Sequence, residues 1–317
     1  MPLTSASSPR NVYPIGDGYH LKNSVLSLDV SGEADLSFVS SALMPMPEGR
    51  RIIATEDTAA IFAALHRKKI NALVCQYQRP FSVGELTLEL LPSGTVLGGA
   101  SLFIQTTKHS VLYAPHLQTE AVASNEPMTL RKADILVIGI HHGNFVLPKR
   151  THEVQRLASA IAASDQQLYV YCEAIGTAQE VCVLAARLGC SVAMHASIAA
   201  ISKVYKPNRV ADYRLYRRTS AYDVVILPYS HIKYQHRHAG VSFYVHDTSP
   251  APQQRRAEAE FTISRFSAGA QLRAVVSQVN PSEVYIVGDY ARTHYDKIKA
   301  DRTQVQPVFA EHQPTLF

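Results

Sequence analysis

Tryptophan is absent from this 317-residue chain and cysteine occurs only four times. No apolar run approaches the ~20 residues needed to span a bilayer. Cys75, Cys172, Cys182 and Cys190 form no CxxC pair and share no zinc-ligand spacing with histidine. That excludes a disulfide framework and a zinc knuckle, and predicts buried, reduced thiols of a cytoplasmic protein. The opening MPLTSASSPRNVYP holds no apolar stretch of a signal peptide. No GxSxG, Walker A loop or GxGxxG stands ahead of a helix, so serine-hydrolase and nucleotide-binding chemistry find no support. Charged residues make up only 18% of the chain, with a formal net charge of +5. That leaning suits a polyanionic partner without requiring one.

What is present is an ordinary apolar fraction, 46%, enough for a sizeable core. Residues 1–12 are polar and expected to be loose. Short apolar runs then predict strands at Val25–Val30, Asp35–Ser40, Arg51–Ala54, Leu86–Leu91, Ser101–Gln105, Ser110–Tyr113 and Asp134–Ile140. The last is continuously apolar, as in a strand buried on both faces. A helix is expected after Thr55 or Asp57, running through Leu65. From Pro148 helices and strands alternate. Helices are expected at Pro148–Ala163, Thr177–Leu188, about 196–205, Pro252–Glu260, Ala270–Val279 and Ala291–Asp301. Strands are expected at Leu168–Cys172, Ser191–His195, Asp223–Leu227 and Glu283–Val287. A β-rich first half followed by alternation reads as an α/β chain.

Six segments occur in a recognisable order: DLSFVSSALMPM, LLPSGTVLGGASLFIQ, SVLYAP, ADILVIGIHHGN, AIGTAQEVCVLAARLG and FSAGAQLRAVVSQVNPSEVYIVGD. From about Tyr13 to Asp301 the chain resembles the β-CASP nucleases of the metallo-β-lactamase fold. These include the mRNA 3′-end cleavage nucleases and the bacterial exonucleases associated with DNA ligases. The resemblance implies an αββα sandwich (13–147 and 262–302), an inserted β-CASP-like α/β subdomain (148–261) and a flexible tail (303–317). It also implies that the metal ligands are lost. The HxHxDH positions are occupied by Ser41, Leu43, Pro45 and Met46, and residues 21–65 contain no histidine. Thr95, Pro115, Gly139, Gly269 and Gly288 stand at the remaining ligand positions. Such side chains offer a divalent cation no adequate donor set, so no metal or other cofactor is expected. Inactive members of such families pair with active paralogues, which makes a nuclease paralogue or another repair protein a candidate partner.

Three features could still carry function. His116, His141, His142, Asn144 and Asp289 are candidates for a rebuilt hydrolytic site, although adjacent histidines on an extended strand point to opposite faces and cannot chelate together. Lys203, Lys206, Arg209, Arg214, Arg217 and Arg218 are interleaved with Tyr205, Tyr213, Tyr216 and Tyr222. Cations of this kind hold phosphates and tyrosine faces stack on unpaired bases, so DNA or RNA is a candidate partner. The alternative is a solvated edge with tyrosines half in the core. His231, His236 and His238 fall in a polar segment expected to be a loop, solvated or in contact with phosphate. Finally, Gln313, Leu316 and Phe317 match the Gln-x-x-Leu-Phe consensus that bacterial sliding clamps bind, an apolar anchor with a polar edge. Together these predict a catalytically silent, nucleoid-associated scaffold. Its rivals are a divergent hydrolase using His116, His141 and Asp289, and a protein-interaction subunit without nucleic-acid affinity.

Overall fold

Short apolar runs, most only three or four residues long, build the first sheet. It comprises β1 (Val12–Ile15), β2 (Gly18–Leu21), β3 (Leu26–Leu28), β4 (Leu36–Phe38), β5 (Ile52–Ala54) and β6 (Ala72–Val74), in that spatial order. Its first two pairings are antiparallel and the rest parallel. The computed structural model describes residues 12–15, 18–32, 34–48, 51–205, 209–218, 221–247, 257–298 and 304–307. Helix α1 (Glu56–His66) crosses between β5 and β6. Thr55 caps it, accepting from Thr58 N at 3.1 Å while donating to Gly98 O at 2.7 Å. Arg67 closes it in the left-handed conformation.

The second sheet begins with β7 (Phe81–Val83), β8 (Leu86–Pro92), β9 (Ala100–Gln105), β10 (Ser110–Ala114) and β11 (Ile135–Gly139). The chain then leaves it for more than a hundred residues and builds a third sheet. In that excursion come α2 (Arg150–Ala162), β12 (Leu168–Cys172), α3 (Thr177–Arg187), β13 (Val192–Met194), α4 (Ala196–Ser202), β14 (Arg214–Leu215), β15 (Val224–Pro228), β16 (Val241–His246) and β17 (Ala259–Thr262). It returns through α5 (Gly269–Val279) to β18 (Glu283–Val287), which pairs in parallel with β11. After α6 (Ala291–His294), β19 (Gln304–Pro307) pairs with the outer edge of β18. The third sheet is wholly parallel, in the order β14-β13-β15-β12-β16-β17.

Three of the four apolar cores tie these layers together. The first and second sheets face each other across one core, where Leu26, Leu28, Phe38 and Ile53 meet Leu88, Leu102, Ile104 and Val137. The outer face of the second sheet packs on α5 through Leu136, Ile138, Leu272, Val275 and Val276. That is why β11 is apolar at every position: it is buried on both sides. The outer face of the first sheet and α1 share a third core with the helices and one face of the third sheet, including Ile52, Phe62, Val170, Val181, Ile198 and Ile226. The protein is a mixed α/β fold of three sheets. Among the described residues, no helix is long and apolar enough to cross a membrane.

Several sequence expectations need correction. Residues 1–11 lie outside the described residues, but Val12, expected to be loose, is buried in β1 because the edge of β2 needs a hydrogen-bond partner. Ala259 and Glu260 are strand, not helix: parallel pairing with β16 carries Phe261 into the core. Gln304–Pro307, read as tail, satisfies the free edge of β18. The helix expected over Ala291–Asp301 gives way at Tyr295 to a 3₁₀ turn ending at Ile298. The polar segment with His231 is a 3₁₀ helix, Tyr229–Arg237, held down by Ile232 in the fourth core.

Candidate functional site

Three neighbouring strands of the second sheet, β10, β11 and β18, are mutually parallel. Their carboxyl ends therefore open on one side, the edge where α/β sheets place functional residues. His116 follows β10, His141 and His142 follow β11, and Gly288 and Asp289 follow β18. The third sheet is likewise all parallel, and Glu173 and Asp247 follow the carboxyl ends of β12 and β16. Arg265 and Phe266, on the return path, join the two edges.

Arg265 is gripped by Asp247. Its Nε and Nη2 lie 2.9 and 2.7 Å from Asp247 Oδ2, and its backbone N–H also donates to that carboxylate. Nη1 donates to Ile175 O at 2.9 Å. The side chains are 13% and 7% exposed, so this is a buried ion pair. Burial works against the guanidinium charge, and the Asp247 carboxylate, joined by Glu173 and Tyr205, more than offsets it. Burial also raises the Glu173 carboxyl, with Arg265 opposing.

Phe266 turns the other way. Its ring lies 5.1 Å from His116 and 4.8 Å from His141, and the two imidazoles stack at 4.5 Å with their planes 27° apart. His141 Nε2 lies 2.7 Å from Pro115 O, so Nε2 carries the proton. The His141 ring folds back over Gly139. A Cβ added there would lie 1.9 Å from Pro115 O and 2.2 Å from His141 Nε2. His116 Nδ1 is shut off from solvent without a hydrogen-bond partner. His142 diverges from His141: its Nε2 lies 3.0 Å from Ser264 Oγ and 3.3 Å from Phe266 O. Ser264 spends its hydroxyl proton on Phe266 O and accepts from Phe266 N, and His142 Nδ1 has no partner. The pair is therefore a turn brace, not a nucleophile with its base.

All three histidines are held below the ordinary value of 6.5, in each case chiefly by burial. The charges of His141 and Arg265 add to the effect at His116. At His141 it is opposed by the Pro115 carbonyl and by Asp289, and at His142 by Asp247. A histidine depressed in the folded state favours folding fully above its unfolded pKa, and this contribution fades as pH falls below about 6.5. We therefore expect the urea midpoint to fall between pH 7.5 and 5.5, with His116→Gln flattening the fall. A profile that is level, or indifferent to His116→Gln, would contradict this.

The positions where the resemblance implies metal ligands do not form a metal centre. Ser41 and Thr95 are buried and hydrogen-bonded locally, Ser41 Oγ to Leu43 N and Thr95 Oγ1 to Ser93 Oγ. Leu43 and Met46 are partly buried and Pro45 is exposed. Pro115 serves His141 through its carbonyl. Gly269 opens α5 so close to Phe145 O that a Cβ would lie 2.6 Å from it, and at Gly288 a Cβ would lie 2.8 Å from Ile140 O. Asp289 and Asn144 are exposed. Among the described residues, no three His, Cys, Asp or Glu side chains are grouped to hold a metal ion. The chain's donors do not fit the metal centre the resemblance calls for.

The basic stretch divides. Arg209 is paired with Glu126 at 2.5 Å, which takes it out of any free cationic surface. Lys206 lies outside the described residues, as do Gln313, Leu316 and Phe317. Lys203 caps the end of α4, on the helix-covered face of the third sheet. Arg214, Arg217 and Arg218 are exposed near the opposite face. Tyr205 is only 3% exposed and Tyr213 binds Ala199 O from the core side, so neither is offered for stacking. Tyr216 and Tyr222 remain half-buried. His231 lies tilted against His195, ring centroids 4.1 Å apart, while His238 lies flat on Tyr169. The side chain of His236 is outside the described residues.

No family model matches the chain, and no curated protein matches it. Among solved structures it is similar to the crystal structure of a protein of unknown function from Enterococcus faecalis V583. The TM-score is 0.61 at 12% identity, covering 86% of this chain and 79% of that one. At that identity the likeness speaks to the α/β fold alone.

Proposed function

We propose that this chain is a β-CASP-like protein of the metallo-β-lactamase type that has given up metal-dependent cleavage. It acts as a nucleic-acid-binding scaffold, held at a bacterial sliding clamp by Gln313–Phe317. The observation that carries this reading is the aromatic plug: the His141 ring folds over Gly139 and Pro115, two positions where the resemblance puts metal ligands, and His116 and Phe266 pack against that ring. Two facing sheets, with helices outside and a third sheet inserted between paired strands β11 and β18, support the fold half of the proposal. The net charge of +5 and the exposed Arg214, Arg217 and Arg218 support a polyanionic partner. The clamp places the protein at bacterial replication or repair DNA in the cytoplasm. A tether works there by raising local concentration.

The test is binding of the purified chain to a bacterial sliding clamp, with and without Gln313–Phe317, alongside a nuclease assay. Clamp binding lost on truncation, with no DNA cleavage in Mn²⁺ or Zn²⁺, is the expected result. An intact chain that ignores the clamp sinks the tether. Cleavage abolished by EDTA and by His141→Ala would replace the scaffold with an enzyme using His116, His141 and Asp289.

A further inference from the structure

Parallel strands are normally aliphatic on both faces, because both are covered. The third sheet keeps this rule on one side only. Leu168, Val170, Val224, Ile226, Phe243 and Val245 face the core shared with α2, α3 and α4. The other face presents Tyr169, Tyr171 and Tyr244 beside Val225 and Leu227. Among the described residues, its cover is the 3₁₀ helix Tyr229–Arg237, through Ile232, with Tyr216, Tyr222, Tyr229 and Ala257 at its margin.

We infer that this tyrosine-faced side binds single-stranded nucleic acid, stacking unpaired bases on Tyr216 and on His238, which the buried Tyr169 backs, while Arg214, Arg217 and Arg218 hold the phosphates. The inference rests on the nucleic-acid reading above and gives it a surface and a strand class.

The rings are already arranged as a platform. His238 lies parallel to Tyr169, centroids 4.3 Å apart and planes 7° apart. Tyr216 stands edge-on to both, at 6.2 and 6.3 Å. Hydrogen bonds hold the assembly from beneath: Tyr171 Oη lies 2.7 Å from His238 Nδ1, and Tyr169 Oη donates to Gln167 Oε1 at 2.5 Å. His238 and Tyr216 are both half-buried, whereas Tyr169 beneath them is buried.

The cations sit at its margin. Arg214 begins edge strand β14, and Tyr216 N continues the pairing by donating to Met194 O at 2.8 Å. Strand alternation therefore puts Arg214 on the same face as Tyr216. Arg217 and Arg218 follow directly, and the charge of Arg218 is felt at the Tyr169 phenol. Among the described residues, no acidic side chain pairs with Arg214 or Arg217. Arg214 and Tyr222 also line one groove of about 320 Å³ at the sheet edge, shared with Asp212 and with Val192 and Tyr213 from the helix-covered side. Aromatic faces can stack only on bases released from pairing, whereas reading a duplex needs a helix or ribbon that fits the major groove. Among the described residues this face offers rings and cations, and its one helix, the 3₁₀ segment Tyr229–Arg237, is packed down on the sheet through Ile232.

The experiment is fluorescence polarisation of labelled oligothymidylate, and of a duplex of equal length, over a salt series with the full chain. Single-strand preference is expected. Tyr216→Leu should weaken single-strand binding about 10-fold while leaving its salt slope unchanged. The surface variant R214A/R217A/R218A should flatten that slope by about 2, near 0.7 for each phosphate no longer neutralised. Lys108→Ala, in the exposed turn between β9 and β10 of the second sheet, should change nothing. Circular dichroism melts establish that each variant is folded, and the exposed arginine variant keeps the inference testable should Tyr216→Leu unfold. Equal affinity for duplex, or binding indifferent to both the tyrosine and the arginine changes, overturns this surface and leaves nucleic-acid binding to another. Absence of binding to either polymer overturns both.

Discussion

Asp247→Ala is expected to lower stability by about 3–5 kcal/mol, because it leaves a charged guanidinium buried without its counter-ion. Arg265 is 13% exposed, and Asp247 accepts three of its hydrogen bonds, one from the backbone. An exposed pair would contribute under about 1 kcal/mol, so the size of the loss separates the two cases. Urea unfolding measures it: the midpoint should fall with the slope unchanged. Asp247→Asn keeps the shape and one acceptor and should lose less. A loss below about 1 kcal/mol for Asp247→Ala would show that water reaches the pair and that the junction of the two sheets is open. The consequence is not confined to the pair. Arg265 also binds Ile175 O ahead of α3, and its neighbour Phe266 supports both stacked histidines. Loosening the ion pair should therefore loosen the plug.

How much of this was legible in the sequence follows from the length of the signals. β11 and β18 announce themselves as unbroken apolar runs, and α1 by Thr55 with two acids in its first turn. β1, β2, β6 and β7 do not. They are three or four residues long, and pairing with neighbouring strands stabilises them more than their own composition does. The segment His231–His238 reads as loop because its polar residues conceal one anchor, Ile232.

The site divides in the same way. His116, His141 and Asp289 could be found because each follows an apolar strand. Arg265 and Phe266 could not, since their partners lie 18 to 150 residues away and meet them only when the second and third sheets dock. A weaker signal was present: Glu173 and Asp247 are acids set directly behind strongly apolar parallel strands, in YCE and YVHD. Acids there lie at a carboxyl edge, where a buried cation can meet them. The ligand positions implied by the resemblance are the opposite case. That they lack metal-binding side chains is plain in the sequence, but the sequence does not say whether the space around them is open or filled.

Gly139→Ala tests the filled cleft. A single methyl there is expected to cost roughly 2–4 kcal/mol, the sum of overpacking and a weakened hydrogen bond between His141 and Pro115. The methyl would meet the Pro115 carbonyl at 1.9 Å and His141 Nε2 at 2.2 Å, distances that real Cβ atoms do not reach. Gly32→Ala is the control, because a Cβ there meets nothing within 4 Å, and it should stay within about 0.5 kcal/mol of the parent. The double variant Gly139→Ala/His141→Ala separates two causes. If the ends of β10 and β11 have closed on each other, removing the imidazole recovers only part of the loss, since the Pro115 carbonyl stays where it was. Full recovery would mean that the backbone cleft survives and His141 alone fills it. In that case a carboxylate at position 139 combined with His141→Ala would supply one ligand of the kind the proposed family likeness implies there. Partial recovery means that the cleft closed in the backbone itself, and no side-chain replacement at that position reopens it.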